Sequence, residues 1–138
     1  MAKQVFVNFA TKDLERSKKF YSDIGWTINP QFTDDTAAAV VISDTIYAMI
    51  LTEAKMREFT TKQLVDATAS TEVLVALSYD SRAEVDELMD KVVASGGSEA
   101  RPTQDLGFMY SRSFQDPDGH IWEPFYMDMT QAPPAPTN

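Results

Sequence analysis

The sequence predicts an α+β fold of two βαβββ modules, and three observations carry that prediction. The order strand, helix, strand, strand, strand can be read twice along the 138 residues. The two helices open at acids, Asp13 and Asp80, that lie 67 residues apart. Neither half is large enough to bury both faces of a sheet, so pairing the halves is the economical way to build a core.

In the first half, residues 5–11 read as a strand that leads into a helix over 13–24. Leu14, Phe20, Tyr21 and Ile24 share one helical face, Ser17 fills a small slot in that stripe, and Gly25 supplies the stop. Short strands near 26–29, 37–42 and 46–51 complete a first module over 1–52. Residues 53–71 read as a linker with a helical turn within 54–59. A strand at 72–79 opens the second half. Its helix begins at Ser81-Arg-Ala-Glu84, a spacing at which each side chain can satisfy the other's free backbone N–H. Val85, Leu88, Met89, Val92 and Val93 form the apolar face, and Gly96-Gly97 ends the helix. Strands near 98–102, 108–114 and 121–127 close a second module over 72–128. The Pro-rich remainder, 129–138, is expected to be disordered.

Composition narrows the function. A net charge of −9 with no basic cluster longer than Lys18-Lys19 argues against a nucleic-acid or anionic-membrane partner. The chain has no cysteine, which excludes disulfides, thiolate nucleophiles and thiolate zinc sites. The N-terminus lacks the charged start and apolar run of a signal peptide, and no apolar stretch approaches the ~18 residues of a membrane span. A soluble, cytoplasmic protein is expected. With one histidine, His120, pairs such as Ser–His have little to build on.

The last hairpin is the most informative segment. Asp116-Pro-Asp-Gly119 is a tight turn: Pro fixes φ, the Asp side chains bond nearby backbone, and Gly accepts positive φ. It lacks the further acids of a calcium loop. Glu123 is the sole acid in the apolar, aromatic strand that follows, so it needs a partner, a proton or a ligand. The structural expectation is a partner such as Arg112, another basic residue across the sheet, or Asn8. The functional expectation is a proton shuttle, or an anchor for a cationic or hydroxylated ligand. Alternation sets His120, Trp122 and Tyr126 on the opposite face, with Trp122 and Tyr126 under a helix.

Taken together, the duplicated modules, Asp13-Leu-Glu-Arg-Ser-x-x-Phe-Tyr21, and Asp116-Pro-Asp-Gly-His-x-x-Glu123 resemble the vicinal oxygen chelate superfamily. That superfamily includes glyoxalase I, bleomycin- and fosfomycin-resistance proteins and extradiol dioxygenases, and the resemblance spans Val5 to Met127. It implies a cupped, partly open mixed β-barrel with helices outside, a ligand bound by side chains facing into the cup, and a homodimer that covers the sheet edges. Metal-using members place one ligand on the first and one on the last strand of each module. Carried onto this chain, those positions are Phe6, Met49, Val73 and Glu123, with Asn8 and Glu72 within one or two residues.

Three of the four offer no hard donor, so no metal or other cofactor is expected. The candidate catalytic residue is Glu123. Phe6, Asn8, Tyr47, Met49, Val73, Val75, Arg112 and Phe125 are expected to contact ligand in an apolar cup. The implied function is metal-free binding of a small, largely apolar or aromatic molecule. The alternative is a metal-dependent lyase or dioxygenase acting on a substrate with vicinal oxygens, and whether turnover occurs stays open at this point.

Overall fold

In the computed structural model, which describes residues 2–136, two four-stranded mixed sheets frame the molecule. Strands β1 (Val5–Thr11), β2 (Thr27–Asn29), β3 (Ala37–Val41) and β4 (Ile46–Thr52) make the first sheet, in the order β1-β4-β3-β2. Strands β5 (Leu74–Tyr79), β6 (Ser98–Asp105), β7 (Met109–Gln115) and β8 (Ile121–Met127) make the second, in the matching order β5-β8-β7-β6. The first and last strands of each module pair in parallel, and the other pairs are antiparallel. The sheets do not close on each other, so the α+β architecture is a cupped, partly open one.

Each module's long helix follows its first strand. Helix α1 (Leu14–Asp23) is capped by Asp13, whose carboxylate accepts from Arg16 N at 3.0 Å. It ends against Gly25, whose φ of +104° only glycine adopts cheaply. A short second helix, α2 (Glu53–Met56), starts the linker under a Thr52 cap. Helix α3 (Arg82–Ala94) is capped by Ser81 Oγ, which accepts from Glu84 N at 3.1 Å. Glu84 reaches back to Asp80 N at 2.9 Å, one residue earlier than the expected reciprocal box. The two caps are therefore Asp13 and Ser81, 68 residues apart rather than 67.

The core lies between the helices and one face of each sheet. Phe9, Phe20, Tyr21, Phe114 and Trp122 form its aromatic centre, with Val85, Leu88, Met89 and Val92 of α3 and Ala48 and Ile50 of β4. Ser17 is buried in the α1 stripe as expected. Val93 is not buried: it falls roughly 90° from the centre of the α3 stripe and faces solvent.

Strand β6 runs to Asp105, beyond the expected end at 102. It is an edge strand with register shifts on either side of Arg101, a setting that tolerates Pro102 without its N–H. The strand expected from residue 72 starts at Leu74. A 3-10 turn at Pro30–Phe32, capped by Asn29, was not expected. Residues 57–73 form neither helix nor strand and strap across the junction of the modules. Among residues 129–136 there is likewise no helix or strand, only a turn in which Asp128 accepts from Thr130; residues 137–138 of the expected disordered tail lie outside the described residues. No helix among the described residues is long and apolar enough to cross a membrane.

Candidate functional site

The turn Asp116–Gly119 clasps the two modules together. The Asp118 carboxylate accepts from Thr11 Oγ1 at 2.6 Å, Arg16 Nη2 at 3.0 Å, and Lys12 N and Ser17 Oγ at 3.1 Å. All four donors belong to the first module. Asp116 holds its own turn by accepting from Asp118 N at 3.0 Å and His120 N at 2.8 Å. It also accepts from the Tyr21 hydroxyl, which in turn accepts from Trp122 Nε1 at 3.2 Å. Burial pushes Asp116 above the ordinary carboxylate range, with nearby His120 opposing the shift. Burial, reinforced by Asp116, holds the Tyr21 phenol well above its usual value. These buried groups are fully bonded and explain the motif structurally.

Strand register decides which residues face the open side of each sheet. In the first module, Phe6 pairs with Tyr47 and Asn8 with Met49. Their side chains lie on the face away from α1, where the Phe6 and Tyr47 rings stack at 4.6 Å. In the second module, Ala76 pairs with Glu123 and Ser78 with Phe125. Phe6, Asn8, Tyr47, Met49, Glu123 and Phe125 thus take the faces expected of them. Much of this apolar surface is open, with Phe6 50% and Leu74 52% exposed.

Three expected cup residues lie elsewhere. Val75 packs on the core beneath α3, and Val73 precedes the strand and borders the strap. Both errors follow from counting back from Asp80 instead of the true cap, Ser81: one residue of slip turns a strand over. Leu74 and Ala76 are the residues on the open face. Arg112 also points to the helix side, where its Nη1 donates to Asp86 Oδ1 at 2.9 Å and its Nη2 lies 3.6 Å from Glu99. It is not the partner of Glu123.

That partner is Arg101 of β6. Its Nε donates to Glu123 Oε2 at 3.0 Å, its Nη2 to Ser111 Oγ at 3.0 Å, and its Nη1 to the Pro102 carbonyl at 3.2 Å. The pair is half-sheltered, with the side chains 34% and 18% exposed. Asn8 does not reach Glu123; its Nδ2 donates to the Phe6 carbonyl at 3.2 Å. Arg101 is the only basic residue of its strand, which is the signal that could have found it.

With the register corrected, the four positions that the family resemblance assigns to metal ligands hold Phe6, Met49, Leu74 and Glu123. Only Glu123 brings a hard oxygen donor, and Arg101 already engages it. Among the described residues, no three His, Cys, Asp or Glu side chains converge.

A cavity of about 310 Å³ opens elsewhere, under the strap and between Asn8 of β1 and Ile121 of β8. Of the expected ligand contacts, only Asn8 and Val73 line it; His120, read as a turn residue, lines it too.

Comparison with known proteins agrees with this architecture. A model of the Glyoxalase/Bleomycin resistance protein/Dioxygenase superfamily matches residues 3–123. A hypothetical protein from S. aureus is 25% identical, with a TM-score of 0.76 over 91% of this chain and 94% of that one. A glyoxalase-related enzyme from Fulvimarina pelagi is 23% identical, with a TM-score of 0.74 over 91% and 88%. The fosfomycin resistance protein FosX from Mesorhizobium loti is 19% identical, with a TM-score of 0.67 over 95% and 97%. At these identities the latter two speak to the fold alone. None of the curated proteins compared with the chain matches it.

Proposed function

The chain belongs to the glyoxalase/bleomycin resistance protein/dioxygenase superfamily, and from that membership we propose that it binds a small, largely apolar or aromatic molecule on its open sheet faces without a divalent metal. The ion pair between Arg101 and Glu123 carries this reading. A divalent cation on the Glu123 carboxylate would sit about 5 Å from the guanidinium. At an effective dielectric constant of about 20 the repulsion is roughly 7 kcal/mol, with Met49 and Leu74 unable to offset it as ligands. Glu123 is then an anchor whose charge is already balanced.

The ligand surface in this reading is Phe6, Tyr47, Met49, Leu74 and Phe125, with Asn8, Arg101 and Glu123 as polar anchors. The exposure of Phe6 and Leu74 supports a homodimer in which a second copy covers the faces and closes the cup. The net charge of −9 fits a small-molecule partner better than nucleic acid.

A thermal-shift screen tests the reading. Small aromatic compounds are expected to raise the melting temperature, while chelator and added Mn²⁺, Zn²⁺, Ni²⁺ or Fe²⁺ leave it unchanged. Near one metal per chain in protein purified without chelator, with a lower melting temperature once that metal is stripped, overturns it.

A further inference from the structure

The cavity under the strap has the attributes of a binding site in its own right. Met56, Leu64, Val65 and Ile121 supply apolar walls, while Asn8 and His120 supply polar groups. A cavity of about 150 Å³ takes benzene, so this larger one has room for a substituted single ring or a fused pair. The strap is seated closely where it crosses the turn: a Cβ on Gly119 would come within 2.5 Å of the Ala67 carbonyl oxygen. The roof of the cavity is therefore fixed to the same turn that presents His120.

His120 is held in one orientation. Its ring packs on Phe9 with centroids 4.6 Å apart, and its Nε2 lies 2.6 Å from the Ala10 carbonyl oxygen. A carbonyl only accepts, so Nε2 carries a hydrogen, and in the neutral form of the ring the lone pair is at Nδ1. Among the described residues no protein donor meets Nδ1, and it is not sealed from solvent. One Asn8 amide N–H is committed to the Phe6 carbonyl, which leaves its second N–H as a donor and Oδ1 as a further acceptor. Lys62, Gln63, Ser70 and Thr71 sit on its exposed rim, with the half-buried Thr60 hydroxyl further in.

We propose that this cavity is a second small-molecule site, bordering the open sheet face at Asn8, taking a small aromatic compound that bears a hydroxyl or N–H donor, with His120 Nδ1 as its acceptor. The site goes beyond the reading above: it shares Asn8 with the sheet-face surface but uses neither Arg101 nor Glu123 and lies within a single chain.

Titration of the ¹⁵N-labelled full chain with phenol and with its methyl ether, anisole, tests the site. Phenol is expected to give saturable shifts at the amides of Asn8, Ala67, Gly119 and His120, with anisole at least fivefold weaker. Val73→Phe, at an exposed position outside β5, is expected to fill the cavity and abolish those shifts. His120→Phe keeps a ring against Phe9 but removes both nitrogens, and is expected to make the two probes bind alike. Shifts confined to the amides of Met49, Glu123 and Phe125 overturn the proposal while sparing the sheet-face reading. Absence of saturable binding, or phenol preference persisting in His120→Phe, also overturns it.

Discussion

Thr11 Oγ1 lies 2.6 Å from Asp118 Oδ2, and this contact joins the first strand of one module to the closing turn of the other. The Asp118 side chain is only 6% exposed, so its removal takes a buried acceptor from two hydroxyls, a backbone N–H and the Arg16 guanidinium. Asp118→Ala is expected to lower stability by about 3 kcal/mol, with Asp118→Asn costing about half as much. Urea unfolding monitored by Trp fluorescence measures both. A loss under about 1 kcal/mol for the alanine variant would mean that core packing alone joins the modules.

Asp116 predicts a pH dependence of unusual sign. Burial raises its folded-state value, so the folded protein takes up this proton more readily than the unfolded chain does. The group therefore favours folding below the ordinary carboxylate range and loses that contribution as pH rises through its raised value. Asp116→Asn removes the term while keeping an acceptor for the two turn N–H groups. The melting temperature of the variant minus that of wild type is expected to grow between pH 4 and pH 7. A difference that stays flat, or shrinks, contradicts the assignment.

The Arg101–Glu123 pair is open to a double-mutant cycle. Arg101→Met leaves a half-sheltered carboxylate without its partner and is expected to cost about 2 kcal/mol, against about 1 kcal/mol for Glu123→Gln. Together they should cost less than their sum, with a coupling of about 1 kcal/mol. Additive losses would show that the contact contributes nothing to stability.

Much of the framework was legible because it rests on local rules. Leu14, Ser17, Phe20, Tyr21 and Ile24 repeat with helical spacing, and β1 and β8 match their expected limits. The site was less legible, for reasons of register. Asp80 and Ser81 are both plausible caps, yet choosing between them decides whether Val75 or Leu74 faces the open side. Choosing Arg101 over Arg112 needed the bulges of β6, which re-aim side chains without leaving a local pattern in the sequence. The cavity depends on how the strap crosses the turn, and residues 57–73 carry no periodicity from which to read that path.

The clasp also constrains how the protein is made. Its donors, from Thr11 to Ser17, leave the ribosome at least 101 residues before the carboxylate they need, on Asp118. A growing polypeptide on the ribosome can assemble the first sheet and α1 but must hold their hydroxyls in water until the second module has been made. Closure over so long a stretch of chain slows folding, and it leaves the unlatched first half as the species for chaperones to meet.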